Sequence, residues 1–147
     1  MKFSTLLYLM RFWPPFLGAG IRVMEYSKDY CSLTVQMKMH FWNKNYVGSH
    51  YGGSLYSMTD PFYMLMLMKI LGKNYIIWDK SATIHYKKPA YGKVFAKFEL
   101  LPAQIETIKQ QVDNQLKCEP VFEISVTDSQ GATVARVVKT LYIKKKT

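Results

Sequence analysis

Cysteine is scarce in this sequence: there are two, Cys31 and Cys118, far apart and outside any C-x-x-C pairing. That argues against a disulfide framework and a thiolate metal site, and a reducing cytoplasm is the expected compartment. Long apolar runs are missing too. The richest stretch, near residues 61–68, falls well short of the ~20 residues that a membrane span requires, so none is expected. Acidic residues are few, with ten Asp and Glu against twenty Lys and Arg and a net charge of +10. Such an excess favours anionic partners. The basic residues are nevertheless scattered and accompany no nucleic-acid motif, so no nucleic-acid partner is expected. The terminal run Lys144-Lys145-Lys146 reads as a solvated tail. Internal repeats, low-complexity segments and linkers are absent as well, and the expected organisation is one domain over residues 1–147.

What remains is a chain rich enough in apolar residues, 49%, to build a core. Lys2 and the apolar stretch Phe3 to Met10 look like the start of a secretory signal, but Arg11 interrupts it and Trp13-Pro14-Pro15 follows. The expected element is a short helix over residues 3–13, ended by the two prolines. Ile21 to Tyr26 reads as a strand. Leu33, Val35, Met37, Met39 and Phe41 alternate with polar neighbours, the period of a strand with one buried face.

After a polar stretch, Gly52-Gly53 opens an apolar segment to Leu71, closed by Gly72, and this is the one long helix expected. It is apolar on all sides from Phe62 to Leu71, so a larger surface must bury it. Four extended runs follow, at Ile76 to Lys87, Lys93 to Leu101, Val121 to Asp128 and Thr133 to Ile143. Ser129-Gln130-Gly131 turns between the last two. Ile105, Ile108, Val112 and Leu116 recur at helical spacing between the middle pair. The pattern predicts an α+β domain, a curved antiparallel sheet of about six strands around one long central helix.

The segment before that helix reads Asn45-Tyr46-Val47-Gly48-Ser49-His50-Tyr51-Gly52-Gly53, with Asp60 eight residues after Gly52. This arrangement resembles the hot-dog-fold acyl-CoA thioesterases of the phenylacetate-degradation type, and more closely an uncharacterised bacterial branch of that superfamily. Ser81 to Gly92, with its Lys-Pro-Ala turn, and Val126 to Gly131 followed by Val134-Ala135 and Thr140 extend the likeness over residues 31–143. The resemblance implies a hydrolase that uses no metal and no redox cofactor. Asn45 and the Gly52 N–H match the donors to the thioester oxygen, and Asp60 matches the catalytic carboxylate, nucleophile or general base. Asp79 falls where some members place a serine that positions water. Lys87 and Lys88 are candidates for the phosphates of the CoA moiety. A non-catalytic acyl-binding or acyl-CoA-binding module of the same fold is the alternative.

The residue chemistry agrees with these roles. An attacked thioester carbonyl becomes an oxyanion, and each fixed donor there contributes roughly 2.7 to 4 kcal/mol. The N-terminus of a helix supplies free N–H groups, and glycine allows close approach. Asp60, in an otherwise apolar helix, is expected to be desolvated, which disfavours the ionised form. Its structural alternative is a carboxylate satisfied by Tyr56, Ser57 or Tyr63.

A continuous helix would separate Gly52 from Asp60 by about 12 Å, too far for one carbonyl carbon. The site is therefore expected to pair Asn45 and Gly52 of one subunit with Asp60 of another, in a two-fold homodimer with antiparallel helices, possible also within a tetramer.

The sequence departs from the family pattern at three points. His50 stands one place early for the usual His-Gly-Gly, and is expected to cap a backbone group rather than catalyse. Pro61 should kink the helix and free the carbonyl of Met58 or Ser57 near the carboxylate. The segment Gln104 to Leu116 exceeds a simple hairpin and would edge the acyl pocket or shape the assembly. Met58, Met64, Met66 and Met68, with Phe62 and Tyr63, fit core packing better than an acyl pocket.

Overall fold

A computed structural model describes residues Met1–Thr147. Helix α1 (Phe3–Leu9) runs through a 3-10 turn (Met10–Phe12) into α2 (Pro14–Ala19). The two prolines therefore end one helix and begin another. Pro14 and Pro15 fill the first positions of α2, where a missing N–H loses no bond. Leu7 and Phe16 anchor these helices in the core. Gly20 closes α2 with φ +74°, and a Cβ there would lie 2.5 Å from the Lys38 carbonyl oxygen, so only glycine fits.

Strands β1 (Ile21–Tyr26), β2 (Ser32–Lys38), β3 (Tyr75–Tyr86), β4 (Lys93–Glu99), β5 (Lys117–Cys118), β6 (Val121–Asp128) and β7 (Thr133–Lys145) form one antiparallel sheet. The order is β1-β2-β4-β6-β7-β3, with the short β5 against β7. Six of these strands match the expected runs, except that β2 stops at Lys38 and leaves Phe41, expected on its buried face, 83% exposed in the turn that follows, and β5 is additional. The terminal lysines are not a free tail. Strand β7 continues to Lys145, which pairs with Asp113.

The central helix comes in two pieces, α3 (Gly52–Ser57) and α4 (Phe62–Leu71), because Pro61 lacks the N–H that would continue the ladder. Between them, Thr59 N–H donates to Tyr56 O and Asp60 N–H to Ser57 O, both spanning three residues. The Ser57 carbonyl is thus taken rather than freed. Phe62, Met58, Met66 and Leu67 are fully buried against the inner face of the sheet, so the methionines at 58 and 66 are core, whereas Met68 is exposed. Helix α5 (Pro102–Gln115) buries Ile105, Ile108 and Val112, and Gln104 Oε1 accepts the Leu101 N–H at its start.

Strand β3 carries an irregularity that matters for the site. Its register against β7 shifts between Asp79 and Ser81. Directly opposed residues of an antiparallel pair share a face, so Ile77 and Asp79, opposite Ile143 and Leu141, point inward. Beyond the shift Ala82, Ile84 and Tyr86 take over this face, opposite Lys139, Val137 and Ala135, although Ala82 and Tyr86 remain exposed on it. A bulge of this kind re-aims side chains without ending the pairing.

Phe62 packs at 5.2 Å between ring centroids from Phe98 and 5.9 Å from Phe16, joining α4 to the sheet and to α2. Phe62→Ala should destabilise the protein by about 3–5 kcal/mol in denaturant titration, while Met68→Ala, at an exposed position, should change it by less than about 0.5 kcal/mol.

Candidate active site

The loop before α3 is built around Asn45. Its Oδ1 accepts the N–H groups of Val47 and Ser49, and its Nδ2 donates to Ser49 Oγ at 2.9 Å and to the His50 carbonyl at 3.3 Å. Asparagine suits this place because its short amide mimics a backbone turn. The loop is fixed to the segment after β3 by the His50 N–H, which donates to Ala90 O at 2.8 Å. His50 is buried, and its Nε2 donates to Gly92 O at 2.7 Å, the backbone-capping role expected of it. Burial holds its pKa below the ordinary histidine value, so the ring is neutral.

Gly52 is the first residue of α3, and its N–H donates to no group of the chain. The Tyr86 ring lies so close that a Cβ on Gly52 would meet its Oη at 2.9 Å. The inward phase of β3 after the bulge brings Tyr86 to this spot. A cleft of about 600 Å³ opens here, lined by Asn45, Gly52, Tyr86, Lys87 and Lys88 among others. Four residues singled out in the sequence, Asn45, Gly52, Lys87 and Lys88, thus share one cavity. Tyr86 was missed. Lys88 also faces Asp128, with Nζ 3.3 Å from Oδ2. Helix α5 does not line this cleft. With six residues, α3 carries less terminal partial charge than the continuous helix expected from sequence.

Asp60 and Asp79 belong to a second cluster. Between them lies Lys139, whose side chain is 0% exposed. Its Nζ donates to the Asp60 carbonyl oxygen and stands 2.9 Å from Asp79 Oδ1 and 3.5 Å from Asp60 Oδ1. The Asp60 carbonyl accepts no backbone N–H, so the ammonium takes the place of the helical bond lost at the break. Asp79 Oδ1 is buried with no aligned hydrogen bond, and the ammonium is its partner through charge.

Tyr56 Oη donates to Asp60 Oδ1 at 2.8 Å. Burial first, then the bond to Asp60, push the Tyr56 phenol above its ordinary pKa, so it remains a proton donor. The Asp60 side chain is 48% exposed rather than desolvated, because the helix break turns it out of the apolar surroundings that a continuous helix would give it. The hydroxyl alternative holds for Tyr56 alone. Ser57 Oγ donates to Gly53 O, and Tyr63 Oη to Glu99 O. Lys139 was missed in the sequence although a signal existed: it interrupts the buried phase Val137, Leu141, Ile143 of β7.

The arrangement therefore has two parts. One is a cleft with a free backbone N–H and two lysines at its wall. The other is a half-exposed carboxylate held by a phenol and a buried ammonium. Asp60 does not line the cleft.

Residues 2–143 match the family model described as Domain of unknown function (DUF4442). No curated protein sequence matches this one. Among solved structures, the chain is similar to a protein of unknown function and probable thioesterase from Pseudomonas aeruginosa, with 19% identity, a TM-score of 0.85, and coverage of 99% of this chain and 97% of that one. It is also similar to a protein of unknown function from Chlorobaculum tepidum, at 15% identity and TM-score 0.78, covering 97% and 94%. A thioesterase from Haemophilus influenzae follows at 13% identity and TM-score 0.71, covering 99% and 92%. At these identities the likeness establishes the fold, which is the α+β hot-dog fold of thioesterase-like proteins.

Removing Lys139 leaves two carboxylates and a carbonyl facing one another without their cation. Lys139→Met should lower the unfolding free energy by about 3–5 kcal/mol, measured by denaturant titration, whereas Lys87→Met should leave it within about 0.5 kcal/mol.

His50 gives a pH dependence of stability. Its folded pKa is depressed, so the unfolded chain takes up the proton first as pH falls. This contribution is intact above about 6.5 and is lost as pH drops through that value toward the folded pKa. Thermal midpoints of the native protein should fall more steeply below about pH 6.5 than those of His50→Gln, which cannot take up that proton.

Proposed function

The chain belongs to the DUF4442 family, and from that premise and its hot-dog fold we propose that it hydrolyses acyl-CoA or related acyl thioesters to the free acid and the thiol. The observation that carries this reading is the convergence of Asn45, Gly52, Lys87 and Lys88 on one cleft of about 600 Å³. The Gly52 N–H, free of any acceptor in the chain, receives the thioester oxygen. Asn45 supplies the second donor by releasing the longer of its two Nδ2 bonds, the 3.3 Å contact to the His50 carbonyl. Lys87 and Lys88 face the phosphates of the CoA moiety. The substrate supplies that moiety, and the reaction as read here needs no other cofactor.

Asp60 attacks the carbonyl carbon directly or takes a proton from the water that does. The tetrahedral oxyanion is held by the two donors and collapses with expulsion of the thiolate, which takes up a proton; on the direct route water then cleaves the acyl–Asp60 anhydride to the free acid and restores the carboxylate. Asp79 orients the water through the carboxyl oxygen that Lys139 does not engage. Asp60 lies outside the cleft that holds Gly52, which favours a site shared between subunits, with Asp60 coming from the partner.

Strand β3 supports such a homodimer, because one of its edges is unpaired over twelve residues. An edge of that length invites a second strand, and two-fold pairing of β3 with its copy would make two equivalent sites. A tetramer built from such dimers is compatible with this pairing. The organisation proposed is one domain over residues 1–147.

A second reading, an acyl-binding module without hydrolysis, is favoured by one observation: both N–H groups of the Asn45 amide are used inside its own loop. It predicts a retained acyl ligand in mass spectrometry and no thiol release.

The deciding measurement is thiol release from a panel of acyl-CoA thioesters. Asp60→Asn should reduce kcat by roughly 10²- to 10⁴-fold with folding unchanged. Equal rates in the two proteins would remove Asp60 from the mechanism.

A further inference from the structure

The surface at the β1 edge of the sheet carries apolar side chains that the proposed chemistry does not use. Phe12, Leu17 and Trp42 are 56%, 57% and 56% exposed and line one cleft of about 330 Å³. Tyr8 lies 6.0 Å from Phe12 between ring centroids, and the exposed Phe41 sits edge-on to Trp42 at 5.1 Å, so the patch is continuous across α1, α2 and the loop after β2. Trp42 is fixed there by its Nε1, which donates to Gly18 O at 3.1 Å. Exposed large apolar groups in a continuous patch mark an interaction surface.

The same cleft is walled by Arg11, Arg22 and Lys38, none of which is in an ion pair. No Asp or Glu occurs from Met1 to Met24 or from Cys31 to Thr59, the segments that build this surface. We propose that this face docks on the anionic surface of a lipid bilayer. Tyr8, Phe12, Leu17, Phe41 and Trp42 enter the boundary between headgroups and acyl chains, and the three cations meet the lipid phosphates.

Charge and shape select this occupant. A second copy of the chain would bring the same unpaired cations against these. Nucleic acid would match the charge, yet aliphatic Leu17 offers no stacking face and a phosphate backbone does not cover apolar side chains. The surface lies at the β1 edge, opposite the β3 edge in the strand order, so pairing of β3 strands leaves it open. The inference does not depend on the thioesterase reading.

The test is co-sedimentation of the full chain with vesicles of phosphatidylcholine alone and with about 30% phosphatidylglycerol. Wild type should prefer the anionic vesicles. Replacing Arg11, Arg22 and Lys38 together by Gln should weaken that binding about a hundredfold, and Phe12→Ser with Leu17→Ser should abolish the part that survives high salt. All five positions are at the surface, and thermal melts of the variants should match wild type. Equal binding to both vesicle types, no binding, or binding untouched by either variant set would overturn the proposal. So would retention on nucleic acid lost in the Gln variant, or a wild-type oligomer dissolved by the Ser variant.

Discussion

A single ammonium group lies where the helix break, the sheet and both singled-out aspartates meet. Lys139 is carried inward by the alternation of β7, the phase that also buries Val137, Leu141 and Ile143. A lysine held there with no partner would discharge or expel itself, because an isolated charge in an apolar interior costs several kcal/mol. It stays because three oxygens meet it, one each from the Asp60 carbonyl, the Asp60 carboxylate and the Asp79 carboxylate. Each of those depends on an irregularity. The Asp60 carbonyl accepts no backbone N–H because the helix stops before α4, and Asp79 is the last inward residue before the bulge in β3.

These irregularities are therefore coupled. The break alone would leave the Asp60 carbonyl near the core without a donor, since α4 makes its first helical bond one residue later, from Leu65 N–H to Pro61 O, and such a group costs about 1–3 kcal/mol. Lys139 supplies the donor, and the broken helix in turn accounts for the lysine. The bulge acts on the far side of the same strand. It places Asp79 toward Lys139 and then shifts the inward set so that Tyr86, rather than His85, reaches Gly52. One strand thereby addresses both parts of the site.

Much of the fold was legible because burial imposes simple periods. The alternation in β2 and β7, the spacing of Ile105, Ile108 and Val112, and the all-round apolar Phe62 to Leu71 each have one good solution. Pro14-Pro15 was half legible: a proline pair ends one helix, and nothing local says that it begins the next. The residues at the cleft were legible as a motif, since Asn45 and Gly52 have backbone-level reasons to be where they are. The surroundings of Asp60 were not. Whether a carboxylate is desolvated depends on which distant side chain faces it, and Lys139 comes from a strand 79 residues away in sequence. Reading the lysine as a cation within the buried phase of β7 would have pointed to a buried acidic partner, though not to which one.

The separation of the two parts bears on how such a site can work. A hydrolase needs its oxyanion donors and its base on opposite sides of one carbon atom, within about 3.5 Å of the reacting atoms. Here the residue with the free N–H lines one cleft and the carboxylate sits outside it, in the break between α3 and α4. Within one chain, Asp60 is held in place by Tyr56 Oη and by the ammonium behind it. In the proposed site shared between subunits, that fixity is what a base offered to a neighbour requires. Under that proposal the carboxylate has to be positioned by its own chain, and the Lys139 cluster holds it from inside the fold while leaving about half of the Asp60 side chain exposed.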